Sequence, residues 1–101
     1  MQRKPTSPGE ILREEFLKLL HLSQRELAQH LGCEVKVINR LVNERSGVTV
    51  ELALKLGAAF GTTPDFWLNA QKALDLYRAS KKVKRLPKPL RMRKITGSKA
   101  A

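Results

Sequence analysis

Four residues apart, Ala28 and Gly32 constrain what the middle of this chain can become. Two short helices that cross steeply need a small side chain where their axes approach. The sharp turn between them needs a residue that tolerates positive φ. Ala28 is fifth and Gly32 ninth in a 20-residue unit from Gln24 to Asn43. Ile38 and Leu41, fifteenth and eighteenth, stand at i and i+3 on the second helix, and Leu27, Leu31 and Cys33 complete the inward set. Plain amphipathicity explains the leucines but not a small residue and a glycine at this distance. The unit is expected to be a helix-turn-helix, with Ala28, Gly32, Ile38 and Leu41 in structural roles.

Punctuation extends this pattern to five helices and no strand before residue 80. Ser7-Pro8-Gly9-Glu10 supplies a cap, a proline suited to the first helical position and a glutamate at the capping-box position. Ile11, Leu12, Phe16 and Leu19 or Leu20 then follow helical spacing. Ser23-Gln24-Arg25-Glu26 is a second capping box, which starts the next helix at Gln24, and Gly32 ends it. The third helix covers Val35 to Val42, with Val37, Ile38 and Leu41 as its apolar positions. Its β-branched residues lower its propensity, so packing must hold it. Thr49 caps a fourth helix carrying Leu52, Ala53, Leu56 and Phe60, and Thr63-Pro64-Asp65 opens a fifth.

The same geometry turns Val35, Lys36, Asn39 and Arg40 away from the core. Lys36 and Arg40 have the donors for guanine O6 and N7, Asn39 suits adenine, and Val35 suits a thymine methyl. Phosphate contact or plain solvation are the competing readings for the two cations. Gln24, at the start of the unit's first helix, and Asn43, Arg45 and Ser46, at the end of the second and just past it, are candidate phosphate contacts, against the alternative of a solvated loop. Double-stranded DNA is thus the expected partner.

The net charge of +11 supports this less than it first suggests. Residues 1–77 hold 10 Lys and Arg against all 9 acids, whereas residues 78–101 hold 10 and no acid. The chain is therefore divided into a nearly neutral domain, 5–78, and a basic tail, 79–101. Pro87 and Pro89 forbid a helix through the tail and its charges repel, so disorder is expected in isolation. If something orders it, Leu86, Leu90, Met92 and Ile95 are spaced for a short edge strand. Tracking phosphates, holding an acidic protein surface and being a labile extension are its three candidate roles.

Other chemistry is poorly represented. Cys33 is the lone cysteine, in a turn position expected to be buried and inert. His21 and His30 lack companions for a metal site, and no nucleophile–base pair or phosphate loop occurs, so neither catalysis nor a metal or other cofactor is expected. No secretory h-region and no apolar run of about 20 residues is present, which makes a cytoplasmic protein the expectation and a membrane partner unexpected. Phe66 is expected in the core. Trp67, about 100° round the helix from it, is the candidate dimer contact.

LSQRELAQHLG (Leu22 to Gly32) and INRLVNERSG (Ile38 to Gly47) resemble the Xre/Cro helix-turn-helix family. SPGEILREEFL (Ser7 to Leu17) and FGTTPDFWLNAQKALDL (Phe60 to Leu76) narrow the likeness to HigA-type, or VapI-related, antitoxins over about residues 5 to 77. The resemblance implies an all-α, five-helix, lambda-repressor-like domain acting as a homodimer on a palindrome in its own promoter. It also implies neutralisation of a small RelE-like ribonuclease toxin of the HigB type, encoded beside it. Many relatives begin the recognition helix with polar residues, whereas valines flank Lys36 here, so the target sequence does not carry over. Stand-alone regulators share these motifs, and a protein-interaction module with a vestigial DNA reader is the other class to be distinguished.

Overall fold

The computed structural model describes residues 3–91, and every regular element among them is helical. Five helices follow in order: α1 (residues 8–20), α2 (Gln24–Leu31), α3 (Val35–Val42), α4 (Val50–Phe60) and α5 (Pro64–Lys82). The starts of α1, α2, α4 and α5 are set by side-chain caps. Ser7 Oγ accepts from the Glu10 amide at 3.1 Å, Thr49 Oγ1 from Leu52 at 3.1 Å and Thr63 Oγ1 from Phe66 at 3.1 Å. At Ser23 both halves of the capping box form, with the Glu26 amide donating to Ser23 Oγ and the Ser23 amide to Glu26 Oε1. Gly32 (φ 75°) and Gly61 (φ 73°) close α2 and α4 in the left-handed region, where a glycine has no Cβ to clash.

α1 departs from the expected period. Leu12–Leu17 is a π-helical stretch between the α-helical turns Pro8–Ile11 and Lys18–Leu20, and the Lys18 amide donates to Arg13 O, five residues back. The wider turn carries Leu17, rather than Leu19 or Leu20, round to the face of Leu12. Leu12 and Leu17 are buried, Ile11 and Phe16 are partly so, and Leu19 and Leu20 are 69% and 57% exposed. The expectation that the apolar face ends at Leu19 or Leu20 is thus corrected to Leu17.

α2 packs on α3, α4 on α5, and the first turn of α1 on α3. Leu12, Leu27, Ala28, Ile38, Leu41, Ala53, Leu56 and Trp67 form the centre of the core. Trp67 is 0% exposed and Phe66 42%, which reverses their expected assignments. The inward stripe of α5 runs from Trp67 to Leu74, and the indole can enter the core because its Nε1–H donates to Thr62 Oγ1 at 2.8 Å. Phe16 and Phe60 lie against the indole at centroid distances of 5.4 and 6.4 Å, while Phe66 meets it edge-on from outside. A Trp67 dimer contact is therefore ruled out by burial within its own chain.

α5 runs to Lys82, so the division placed at residue 78 falls inside a helix. Residues 83–91 carry neither helix nor strand, and all are exposed. Leu86 and Leu90 form no edge strand, and the Met92 and Ile95 expectation lies outside the described residues. No described helix is long and apolar enough to cross a membrane.

Candidate nucleic-acid interface

The 24–43 unit folds as two helices around the turn Gly32-Cys33-Glu34. Ala28 is 2% exposed, and the Gly32 and Cys33 amides donate back to Gln29 O and Ala28 O, closing the end of α2. On α3 the buried stripe is Ile38, Leu41 and Val42 at i, i+3 and i+4. Val37, expected in that stripe, is 38% exposed: it stands one residue before Ile38 and faces off the contact line. Cys33 is half-buried rather than buried. α3 has no side-chain cap, so packing of this stripe holds it.

The opposite face of α3 presents Val35, Lys36, Asn39 and Arg40, all exposed, with Asn43, Arg45 and Ser46 exposed just beyond it. Gln24 is half-buried at the start of α2, and its Oε1 accepts from Asn39 Nδ2 at 3.1 Å. This bond fixes both side chains across the turn and leaves the Gln24 amide hydrogens for an outside acceptor. Asn43 donates one amide hydrogen to Asn39 O at 3.0 Å, so part of its donor capacity closes its own helix. Gln24 and Asn39 are joined by this bond, the other six candidates stand exposed on α3 or just beyond it, and Trp67 lies in the core.

The loop after α3 is fastened by a group the sequence reasoning missed. Glu44 adopts φ 58°, a left-handed conformation that strains a residue with a Cβ. Its Oε1 accepts from Lys4 Nζ at 3.2 Å and from Arg78 Nη2 at 3.0 Å. Hydrogen bonding from Lys4, with smaller help from Ser7 and the charge of Arg78, holds the carboxyl below its ordinary value of 4.5. Nothing local in N-E-R-S-G marks partners so distant in sequence. On the other side of the loop, Gln71 Oε1 accepts from the Val48 amide at 3.0 Å.

Glu44→Gln is expected to cost no more than about 1 kcal/mol at neutral pH, because the pairs are partly exposed and screened. Since the folded carboxyl titrates below 4.5, the wild-type advantage is complete above that value and fades as pH falls through the depressed one. Thermal melts of both proteins across acid pH check this, and an advantage that grows on acidification would refute it.

A helix-turn-helix family model matches residues 13–67. An "uncharacterized HTH-type transcriptional regulator" of Haemophilus influenzae is 51% identical over 77 residues, 76% of this chain and 72% of that protein. Antitoxin HigA-1 of Vibrio cholerae is 43% identical over 77 residues, 75% of this chain and 71% of that protein. The chain belongs to the HigA-type branch of the Xre helix-turn-helix family. Among solved structures, Pseudomonas aeruginosa antitoxin HigA with the higBA promoter superposes with a TM-score of 0.79 at 36% identity, covering 85% of this chain and 98% of that one. The HigA-type fold is all-helical, and the family is one of DNA-binding regulators and antitoxins rather than of enzymes.

Proposed function

We propose that this HigA-type chain is a homodimeric autorepressor that reads a palindrome in its own promoter through α3. Lys36 and Arg40 donate to guanine edges, Asn39 pairs with adenine, and Val35 meets a thymine methyl. Gln24, Asn43, Arg45 and Ser46 hold phosphates, which sets the register of α3 in the major groove. The same chain neutralises a small HigB/RelE-like ribonuclease toxin encoded beside it. The observation that carries the DNA reading is the split of α3: Ile38, Leu41 and Val42 inward, with Lys36, Asn39 and Arg40 outward and Asn39 steadied by Gln24. The structure of its Pseudomonas relative, solved with the higBA promoter, supports a promoter as the DNA partner.

A mobility shift with the full chain tests it, using a duplex from its own promoter and a base-scrambled duplex of equal length. Two protomers per promoter duplex and a preference of at least about 10³ are expected. Equal affinity for the two duplexes would sink the reading. A lone regulator is the second reading, since the Haemophilus relative carries only the name of a transcriptional regulator. Co-purification with the product of the adjacent reading frame separates the two: a stable complex supports the antitoxin, and no complex leaves the regulator.

A further inference from the structure

We propose that the segment following α5 is an amphipathic polyproline-type arm whose cationic row grips duplex phosphates beside the bases read by α3. The proposal rests on the DNA reading above and adds a second contact element to it.

Charge is the first observation. No acidic residue follows Asp75, and residues 81–91 contain Lys81, Lys82, Lys84, Arg85, Lys88 and Arg91. Arg78 is the last cation paired with a carboxylate among the described residues. With residues 1–77 nearly neutral, the positive field of the chain comes mainly from this segment.

Spacing is the second. Arg85, Lys88 and Arg91 recur every third residue, and so do Val83, Leu86 and Pro89. A polyproline II strip has three residues per turn, so each series occupies one edge of it; neither a helix nor a strand would sort them. Pro87 and Pro89 fix their own φ and keep Leu86 and Lys88 out of the helical region. The structure agrees that 83–91 is neither helix nor strand. The cations of one edge then stand about 9 Å apart, within reach of alternate or every third phosphate on a strand spaced at about 3.4 Å along the axis. The neighbouring apolar edge is left to lie on deoxyribose carbons.

Position is the third. Arg78 is tied to Glu44 at 3.0 Å, next to the candidate phosphate contacts Arg45 and Ser46. Only about one helical turn, a rise of roughly 6 Å, separates Arg78 from the end of α5 at Lys82. The arm thus leaves the domain on the side where α3 ends. It also stands away from the core: every residue from 83 to 91 is exposed.

The test compares the full chain with Arg85→Gln/Lys88→Gln/Arg91→Gln and with a truncation after Lys82, which keeps α5 whole. Affinity is measured against salt on the promoter duplex and on the scrambled duplex. Each phosphate contact removed should lower the log–log salt slope by about 0.9, so roughly 5 for a dimer of the triple variant, with affinity at physiological salt falling roughly tenfold or more on both duplexes. The truncation should lower it at least as far. An unchanged slope in a chain that still prefers its promoter would overturn the arm and leave the α3 reading standing. A lowered slope in a chain that never preferred its promoter would uphold the arm and remove the α3 reading.

Discussion

Lys36→Ala combined with Arg40→Ala should bring affinity for the promoter duplex most of the way down to that for scrambled DNA, leaving only what Asn39 and Val35 discriminate. Each bidentate base contact discriminates by about 1–3 kcal/mol. Two such contacts in each half-site therefore account for a large part of the roughly 4–10 kcal/mol that separates specific from nonspecific binding. The variant should remain folded, since both side chains are exposed and alanine is the better helix former. Its melting curve should match wild type within about 0.5 kcal/mol. Arg45→Ala provides the contrast: removing a phosphate anchor should weaken binding to both duplexes alike and lower the salt slope by about 1 per site. A double variant that keeps the full wild-type preference for its promoter over scrambled DNA would show that α3 is not the reader.

Gly9→Ala should destabilise the fold severely, although helix propensity alone predicts the opposite sign. Gly9 lies in the first turn of α1, where alanine is favoured over glycine by about 1 kcal/mol on propensity. A Cβ at Gly9, however, would sit 1.9 Å from Leu41 O, 2.8 Å from Leu41 C and 3.0 Å from Val42 Cα. All three are backbone atoms in the last turn of α3, so no rotamer change relieves the clash. The first turn of α1 must move off α3 or α3 must shift. Overpacking typically costs about 1–3 kcal/mol. A backbone clash with no rotamer to relieve it belongs at the upper end, about 3 kcal/mol, which for a domain of this size lowers Tm by roughly 12 °C or more. Gly61→Ala is the control: nothing lies within 4 Å of its Cβ, and its cost comes only from φ 73°. That cost should be about 1 kcal/mol. A neutral or stabilised Gly9→Ala protein would mean that α1 does not press on α3 as described.

Gly9 also shows where sequence reading stops. The starts of four helices and the ends of α2 and α4 are local events, written in Ser7, Ser23, Thr49, Thr63, Gly32 and Gly61, and they can be read in place. The spacing of Ala28, Gly32, Ile38 and Leu41 was likewise legible, because it follows from how two helices cross. The exposed face of α3 came with it by subtraction. What failed lies in features that apolar spacing does not record, and for Gly9 and Glu44 in partners distant in the chain. The period of α1 slips at Leu12–Leu17 through a change of hydrogen-bond register that apolar spacing does not record. Phe66 and Trp67 are adjacent aromatics, and the choice between them was made by Thr62, which offers the indole an acceptor. Gly9 reads locally as part of a helix opening, yet its need is set by Leu41. The glutamate of N-E-R-S-G gives no hint of Lys4 and Arg78.

That last pairing has a topological consequence. Lys4 and Arg78 reach the same oxygen of Glu44, so the folded part of the chain is entered and left at nearly one point. The domain is close to a closed ring, and a short linker between the two sides should permit circular permutation with new ends opened in an exposed loop elsewhere. The same closure sets a rule for fusions. A reporter attached before residue 4 or soon after residue 82 is planted on the side of the loop that follows α3. The end chosen for it changes the length of its tether more than its place on the molecule.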